Sequence, residues 1–236
     1  MLSVYPSSTR LHERPASSAG SVWHSLGGAR AGQADAFHAM TVLDESLLPP
    51  GSEALRRARP AEVLTYVVEG TLTWKADSGD SGVLRAGEFQ TSRQGEEHET
   101  NTSSHDWVSF FQIAFGPPTN PASPAHTQQH FTLASRRGAW RVVASPDGRA
   151  GSLHLDVDAL VSSVVIEPGQ HVIYPLAPGR AAWLHVVTGR VACGDLELSV
   201  GDGASVTDAS ALSVTARERS ELLLIEVAAA PPGNHV

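Results

Sequence analysis

The sequence is poor in cysteine and in positive charge, and each shortage excludes a class of protein. The single cysteine, Cys193, excludes an intrachain disulfide and a zinc site built on cysteines, and we expect it to be a small buried residue. Lys and Arg number 17 against 25 Asp and Glu, which gives a net charge of −8. A chain with this charge is a poor partner for nucleic-acid phosphates or for an anionic membrane.

The chain also lacks a long apolar run. No stretch approaches the roughly 18 apolar residues that span a bilayer, and the first residues lack the apolar core of a signal peptide. A cytoplasmic location is therefore expected. With 236 residues, of which 41% are hydrophobic, the chain can form one large or two medium β-domains with packed cores.

Short strands separated by glycine or proline turns account for most of the sequence. Residues 1–35 are rich in Ser, Gly, Ala and Arg and predict an irregular arm. From Phe37 onward, β-branched and aromatic runs follow one another. Two of them, EVLTYVVEG and TLTWKAD, predict a hairpin that turns at Glu69 and Gly70. No helical periodicity is convincing, so the sequence predicts an all-β sandwich or barrel.

A proline-rich stretch from Gly116 to Ala125 interrupts this pattern. Four prolines in ten residues cannot lie inside a sheet, so we predict a connector between an N-terminal domain, residues 1–119, and a C-terminal domain, residues 120–236. The two parts have similar sequence patterns. TYVVEGTLTW followed by LRAGEF in the first part resembles LHVVTGRVAC followed by LSVGDGASV in the second, which indicates two copies of one β-unit.

The segment 51–101 carries parts of two motifs of the cupins, small β-barrels that often hold a metal in their mouth. The second cupin motif is met by two glycines and by His98. The first motif requires His-x-His, but the sequence there reads Arg57-Ala58-Arg59. The segment therefore indicates the fold more strongly than the chemistry.

More specifically, the chain resembles the pirin family, whose bacterial members include quercetin 2,3-dioxygenases. The stretches that carry this resemblance are EVLTYVVEG, AGEFQ, GEEHETN and FFQIAFGPP in the first half, and SPDGRAGSLHLDVDA, AAWLHVVTGRV, GDGASV and SELLLIEV in the second. The resemblance covers nearly the whole chain from about Val22. It implies an all-β bicupin, in which two cupin-type, jelly-roll-like β-barrels pack side by side.

The resemblance also implies a metal site, typically for iron. The family's ligands are two histidines of a His-Pro-His stretch, a third histidine and a glutamate. In this sequence the third histidine falls on His98. The glutamate falls on Glu99 if one residue is deleted here, and on Thr100 if none is.

The first two ligand positions carry no histidine. They fall on Arg56 and Ala58 when the count is anchored at Glu62, and on Arg57 and Arg59 when it is anchored at the motif's first glycine. An arginine stays protonated and repels a cation. One imidazole and one carboxylate are too few to hold a catalytic iron, so no metal is expected and those two groups are remnants of the site.

Seven residues are candidates for the pocket of the first barrel: Arg56, Arg57, Arg59, Glu62, Gln90, His98 and Glu99. The arginines either form an ordinary charged loop or fill the old metal position and bind an anion. His98 is either a pocket residue or a polar residue of a strand. We expect His126 to be solvated beside the connector. Because His171 and His185 lack partners at metal-ligand spacing, we predict a structural second half without metal or catalytic group.

Three functions follow from the sequence, and no catalytic residue can be assigned. The favoured function is a metal-free bicupin that binds a small anionic or aromatic molecule in the first barrel. The first alternative is a quercetin 2,3-dioxygenase-type oxidoreductase that uses iron or another divalent transition metal. The second alternative is a protein-interaction or regulatory role, with a protein partner that contacts the outer face of a barrel.

Overall fold

The computed structural model is built almost entirely of β-strands, which confirms the predicted all-β class. It describes residues 1–14, 20–27, 36–56, 61–93, 97–117 and 125–229. Its helical pieces are α1 (Leu133–Arg136) and two 3-10 turns, Ser7–Thr9 and Arg149–Gly151. Within the ranges given above, no helix has the length and apolarity needed to cross a membrane.

The strands are short and follow one another closely along the chain. The first twelve are β1 (Leu2–Tyr5), β2 (Leu11–Glu13), β3 (Ser21–Leu26), β4 (Met40–Leu48), β5 (Glu53–Arg56), β6 (Glu62–Glu69), β7 (Thr71–Ala76), β8 (Ser81–Arg85), β9 (Glu88–Arg93), β10 (Glu97–Thr100), β11 (Val108–Phe115) and β12 (His126–His130). The next ten are β13 (Arg141–Ser145), β14 (Leu153–His154), β15 (Ala159–Ile166), β16 (His171–Pro175), β17 (Arg180–Thr188), β18 (Arg190–Cys193), β19 (Leu196–Ser199), β20 (Gly203–Val206), β21 (Ala211–Ala216) and β22 (Ser220–Ala228).

Each half of the molecule consists of one large and one small sheet. In the first half the large sheet has the order β12-β9-β6-β11-β4-β3-β2 and the small sheet the order β5-β10-β7-β8. In the second half the orders are β1-β20-β17-β22-β15-β13-β14 and β16-β21-β18-β19. The two halves match in strand order, with β6 equivalent to β17 and β12 to β1, but at the far edge β2 pairs antiparallel with β3 whereas β14 pairs parallel with β13. This topology confirms the predicted internal repeat.

The edge strands of the large sheets contradict the predicted domain boundary and the predicted irregular arm. β1 belongs to the supposed arm, yet it pairs with β20 of the second half. β12 lies beyond residue 119, yet it pairs with β9 of the first half. Without these strands, β20 and β9 would expose unpaired backbone groups. A short segment can cover such an edge with its backbone alone, so its side chains need no strand pattern.

The predicted hairpin at Glu69 and Gly70 is also wrong in its pairing. β6 lies in the large sheet and β7 in the small sheet, so Gly70 is a corner between two sheets. Its φ is 82°, and a Cβ at this position would clash with the carbonyl oxygen of Trp107. Only glycine fits there without strain. Gly189 makes the equivalent corner in the second half, with φ of 80°.

The two large sheets pack face to face through an apolar core shared by both halves. Its large side chains are Tyr66, Phe89, Phe111, Phe115, Trp183, Leu223 and Ile225. The opposite face of each large sheet packs on the small sheet of its own half. Strand β6 is therefore buried on both faces: Leu64 joins the shared core, whereas Val63 and Val67 join clusters inside the first half.

A buried arginine beside the shared core contacts side chains of both halves. Arg136, at the end of α1, is 4% exposed. Its Nη1 lies 2.5 Å from Oε1 of Glu221, 3.0 Å from the Tyr66 hydroxyl and 3.1 Å from the Ser163 hydroxyl. The Tyr66 hydroxyl also donates to Glu221. Burial and the charge of Glu221 raise the pKa of Tyr66, so the phenol stays protonated and links the two halves.

Replacing Arg136 by glutamine is expected to lower the free energy of unfolding by about 3 kcal/mol, because the substitution leaves a carboxylate without its cation in a largely buried site. The matched control is Arg137→Gln. Arg137 is 58% exposed and pairs with Glu167 at the surface, so its loss should cost less than about 1 kcal/mol. Urea unfolding measures both values. Equal effects of the two substitutions would contradict this role of Arg136.

A buried histidine lies beside this core. His185 on β17 is fully buried, and its ring packs edge-on against Phe111 at 5.2 Å between centroids. Within the described residues, neither ring nitrogen has a hydrogen-bond partner. Burial, with a smaller contribution from the charge of Arg10, lowers the pKa of His185 to about 3. The folded protein therefore holds this ring neutral.

Acid should consequently destabilise the wild-type protein more than a His185→Leu variant. The unfolded histidine binds a proton near pH 6.5, whereas the folded one does so only near pH 3. Between these values the unfolded state binds more protons, so the free energy of unfolding falls by up to about 1.4 kcal/mol per pH unit as the pH drops. Urea unfolding of both proteins at several pH values tests this. Identical pH slopes would be inconsistent with a neutral buried ring.

Candidate functional site

Strand β10 determines which side chains enter the interior of the first half. Glu97 and Glu99 are buried, at 2% and 3% exposure, whereas His98 between them faces solvent. In register, His98 lies between Leu55 of β5 and Lys75 of β7, which are exposed as well. Of the two alternatives for His98, its position agrees with a polar residue of a strand and not with a pocket residue. Side chains alternate along a strand with a period of two, so an error of one residue moves a side chain to the opposite face.

The same alternation identifies the pair of inward positions. The resemblance places the glutamate two residues after the third histidine, at positions 98 and 100 in the count without a deletion. Residues two apart share one face of a strand, and the inward pair at this spacing is Glu97 and Glu99. Just beyond them, the fully buried Asn101 fixes the strand end through its amide, which donates to the carbonyls of Leu48 and Asp106. A glutamate thus stands where the resemblance implies a histidine.

Two residues of the large sheet hold these carboxylates. Nε2 of Gln112 donates to Oε1 of Glu99 at 2.5 Å. Nε2 of His126 lies 3.1 Å from Oε1 of Glu97. The His126 ring also stacks on Trp74 of β7, with 4.4 Å between centroids. We call these five residues the inner polar cluster, and they connect the small and large sheets of the first half.

His126 is the member of this cluster that the sequence did not reveal. It was expected in solvent, but its side chain is only 12% exposed. It lies on the edge strand β12, opposite Ser92 of β9. The local sequence HTQQH carries no apolar pattern, and the pairing with β9 spans more than thirty residues of chain. Local periodicity cannot detect such a contact.

Further polar atoms face the same interior. Gln90 of β9 lies opposite Thr65 of β6, and Thr65 lies opposite Gln112 of β11. The amide nitrogen of Gln90, the hydroxyl of Thr65 and the indole nitrogen of Trp74 are buried, and none has a hydrogen-bond partner in the part of the chain that the structure describes. Because an unpaired buried donor is unfavourable, this row offers groups that a bound molecule or water would satisfy.

Strand β5 ends beside β10. Arg56, its last residue, lies opposite Glu97 in the register of the two strands. Arg57 and Arg59 lie outside the described residues.

Glu62 belongs to a different part of the molecule. It is fully buried on β6 and faces the second half, where its Oε2 accepts the Asp156 backbone N–H at 2.7 Å. Its Oε1 lies 3.7 Å from Nε of Arg93, which also pairs with Asp156. Burial raises the pKa of Glu62. The prediction that Glu62 lines the first-half pocket is wrong, because the neighbouring Val63 and Thr65 occupy the inner face of β6.

The donors that the structure describes in the first half do not fit a catalytic transition metal. Among the residues with described positions, no group of three His, Cys, Asp or Glu side chains is arranged to hold a metal ion. His126 contacts Glu97, whereas Glu99 is bound by the amide of Gln112. A catalytic iron or nickel ion requires about three or four converging nitrogen or oxygen ligands together with open positions.

In the second half, His171, His185 and Cys193 lie in different environments. His171 is exposed on β16, with Nδ1 3.0 Å from the Thr215 hydroxyl, whereas His185 is buried beside the shared core. Cys193 is buried, and burial raises the pKa of its thiol to about 11. A thiol with this pKa stays protonated and is a poor nucleophile.

Known proteins are similar in sequence to most of this chain. Residues 142–227 match the family model of the quercetinase C-terminal cupin domain. The chain is 34% identical over 173 residues to the Pseudomonas aeruginosa protein PA1210, whose name assigns quercetin 2,3-dioxygenase only provisionally; the match covers 72% of this chain and 75% of that protein. It is 29% identical over 195 residues to the quercetin 2,3-dioxygenase of Escherichia coli O157:H7, with coverage of 81% and 83%.

A solved structure extends this similarity to the fold. The Escherichia coli pirin YhhW, in complex with nickel(II), aligns with a TM-score of 0.85 and 26% identity over 98% of this chain and 100% of that one. The predicted bicupin architecture is confirmed, with each half formed by two facing cupin-like sheets rather than a closed barrel. Together with the sequence matches, this establishes that the chain belongs to the pirin family.

Proposed function

We propose that this pirin-family bicupin binds a small aromatic or anionic molecule inside its first half and holds no transition metal there. The observation that carries the proposal is the phase of β10, which turns Glu97 and Glu99 inward and His98 outward. Of the four ligand positions implied by the resemblance, only the glutamate position retains its donor type, at Glu99. Glutamate takes the third histidine position, and no histidine stands at the other two.

The partners of the two carboxylates support a site without a metal ion. A buried carboxylate needs hydrogen-bond donors or a positive charge nearby. Gln112 supplies a donor to Glu99, and the ring of His126 is positioned to do so for Glu97. Arg56 lies opposite Glu97 in the backbone register of β5 and β10, and an arginine is permanently charged and repels a cation.

The remaining groups favour a planar ligand that carries oxygen atoms. The stacked rings of Trp74 and His126 provide a flat aromatic surface. The Gln90 amide and the Trp74 indole nitrogen are donors without partners in the described chain. A phenol, enolate or carboxylate oxygen would accept these hydrogen bonds.

A metal-dependent dioxygenase of the quercetin type is the second candidate. It is favoured by the names of the relatives and by the nickel(II) complex of YhhW. Glu97, Glu99 and His126 would be its donors in this chain. These groups would have to move into one ligand set, because Glu99 is bound by Gln112 and His126 is stacked on Trp74.

The purified protein is expected to bind quercetin without consuming it, and to retain far less than about one metal ion per chain after incubation with nickel(II) or iron(II) and desalting. Gln90→Ala should weaken quercetin binding about tenfold, because one buried hydrogen bond to the ligand is lost. The matched control is Gln128→Ala, since Gln128 is exposed and its amide donates to the carbonyl of Val83 at the surface. Fluorescence titration measures binding, and elemental analysis measures the metal.

The two candidates give opposite results in this experiment. Dioxygenase function would appear as quercetin turnover together with about one metal ion per chain, lost in Glu97→Gln and Glu99→Gln. The control His98→Gln should change nothing, because His98 faces solvent. Metal loss on His98→Gln would show that the assigned phase of β10 is wrong. Absence of quercetin binding, or equal affinities of Gln90→Ala and Gln128→Ala, would reject the proposed site.

A further inference from the structure

A cleft lies in the second half, between β13, β15, β16, β17 and β22. Its volume is about 760 Å³, which is enough for a small organic molecule. Its lining includes the apolar side chains of Val142, Leu160 and Val172. Arg180 and Glu226 line it as well, and Glu226 lies directly opposite Leu160 in the register of β15 and β22. No residue of the inner polar cluster takes part, so this cleft is separate from the site in the first half.

Arg180 is the polar centre of the cleft, and its orientation is fixed from behind. Its Nε lies 2.8 Å from Oε1 of Glu226, which is 8% exposed. The other oxygen of Glu226 accepts a hydrogen bond from the Tyr174 hydroxyl at 2.8 Å. Burial and the charge of Glu226 raise the pKa of Tyr174, so the phenol remains a donor. Glu226 therefore fixes the orientation of the Arg180 guanidinium, and Tyr174 in turn fixes Glu226.

Nη1 is the nitrogen of Arg180 that a ligand can reach. It lies 2.8 Å from Oδ2 of Asp158, whose side chain is 68% exposed. An ion pair with such an exposed carboxylate contributes little to stability. Nη2 is buried and has no hydrogen-bond partner among the residues that the structure describes. A ligand carboxylate can therefore form a charge-assisted hydrogen bond with Nη1.

An aromatic surface lies on the same cleft. The Trp140 ring lines it and packs edge-on against Tyr174, with 5.6 Å between centroids and an interplanar angle of 87°. Trp140 is half-buried and lines the cleft, so the exposed part of its ring can contact a planar group. With Val142 and Leu160, the cleft combines a hydrophobic surface with an oriented guanidinium.

We propose that this cleft binds a small aromatic carboxylate. The ligand carboxylate takes Nη1 of Arg180 in place of Asp158, and the ring packs against Trp140, Val142 and Leu160. The proposal departs from the expectation that the second half is only a structural partner. It does not depend on the function proposed for the first half, because the two sites share no residue.

The probe for this site is 2-naphthoate, and its neutral amide, 2-naphthamide, is the matched control ligand. Isothermal titration calorimetry should show that the carboxylate binds at least about tenfold tighter than the amide, because only the carboxylate pairs with the guanidinium. Arg180→Lys keeps the charge but loses the planar guanidinium that Glu226 orients, and should weaken naphthoate binding about tenfold. Arg149→Lys, at the exposed rim of the same cleft and bound to Asp147, should change it less than about twofold.

Tryptophan substitutions locate the bound probe. Quenching of protein fluorescence by naphthoate should decrease in Trp140→Phe and persist in Trp74→Phe, whose ring lies in the first half. The opposite pattern, equal affinities for the two ligands, or equal effects of Arg180→Lys and Arg149→Lys would overturn the proposal. If Arg180→Lys fails to fold, the two ligands and the tryptophan variants still decide. Gln90→Ala should leave naphthoate binding unchanged, so failure of the first-half site is recognised separately.

Discussion

The packing of the two large sheets against each other is the contact on which the rest of the structure depends. It occupies one face of each central strand, so that only the opposite face remains to line the interior of each half. The phase of a strand, meaning which of its residues face inward, then decides whether a side chain contacts the other half or the interior of its own half. On β6, a shift of one residue separates Glu62, which binds Asp156 of the second half, from Val63, which packs inside the first.

The all-β class and the internal repeat could be predicted because glycines mark the same corners in both halves. Gly70 and Gly189 have positive φ and no room for a side chain, and such positions are visible in the sequence. Strand pairing could not be predicted, because the partners of β1 and β12 lie far away along the chain. Composition cannot distinguish a hairpin from a corner between sheets, and β6 shows no alternation because both its faces are buried.

The phase of each strand also separates the pocket candidates that the sequence offered. Gln90 and Glu99 lie inside the first half, whereas His98 and Glu62 were each placed on the wrong face by one residue. His126 was missed because only a long-range pairing brings it inward. The two halves share one topology but differ in their polar groups. In the first half, carboxylates contact an amide and an imidazole, whereas in the second half a guanidinium contacts a carboxylate. Fold alone does not determine these sites.

The phase of β10 is the central claim, and the reactivity of individual histidines tests it most directly. Diethyl pyrocarbonate modifies accessible imidazoles, and mass spectrometry can follow each site in the native protein. His98 should react as fast as the exposed His105, and His126 should react much more slowly because it is stacked on Trp74 and is 12% exposed. Protection of His98 together with rapid modification of His126 would contradict the account.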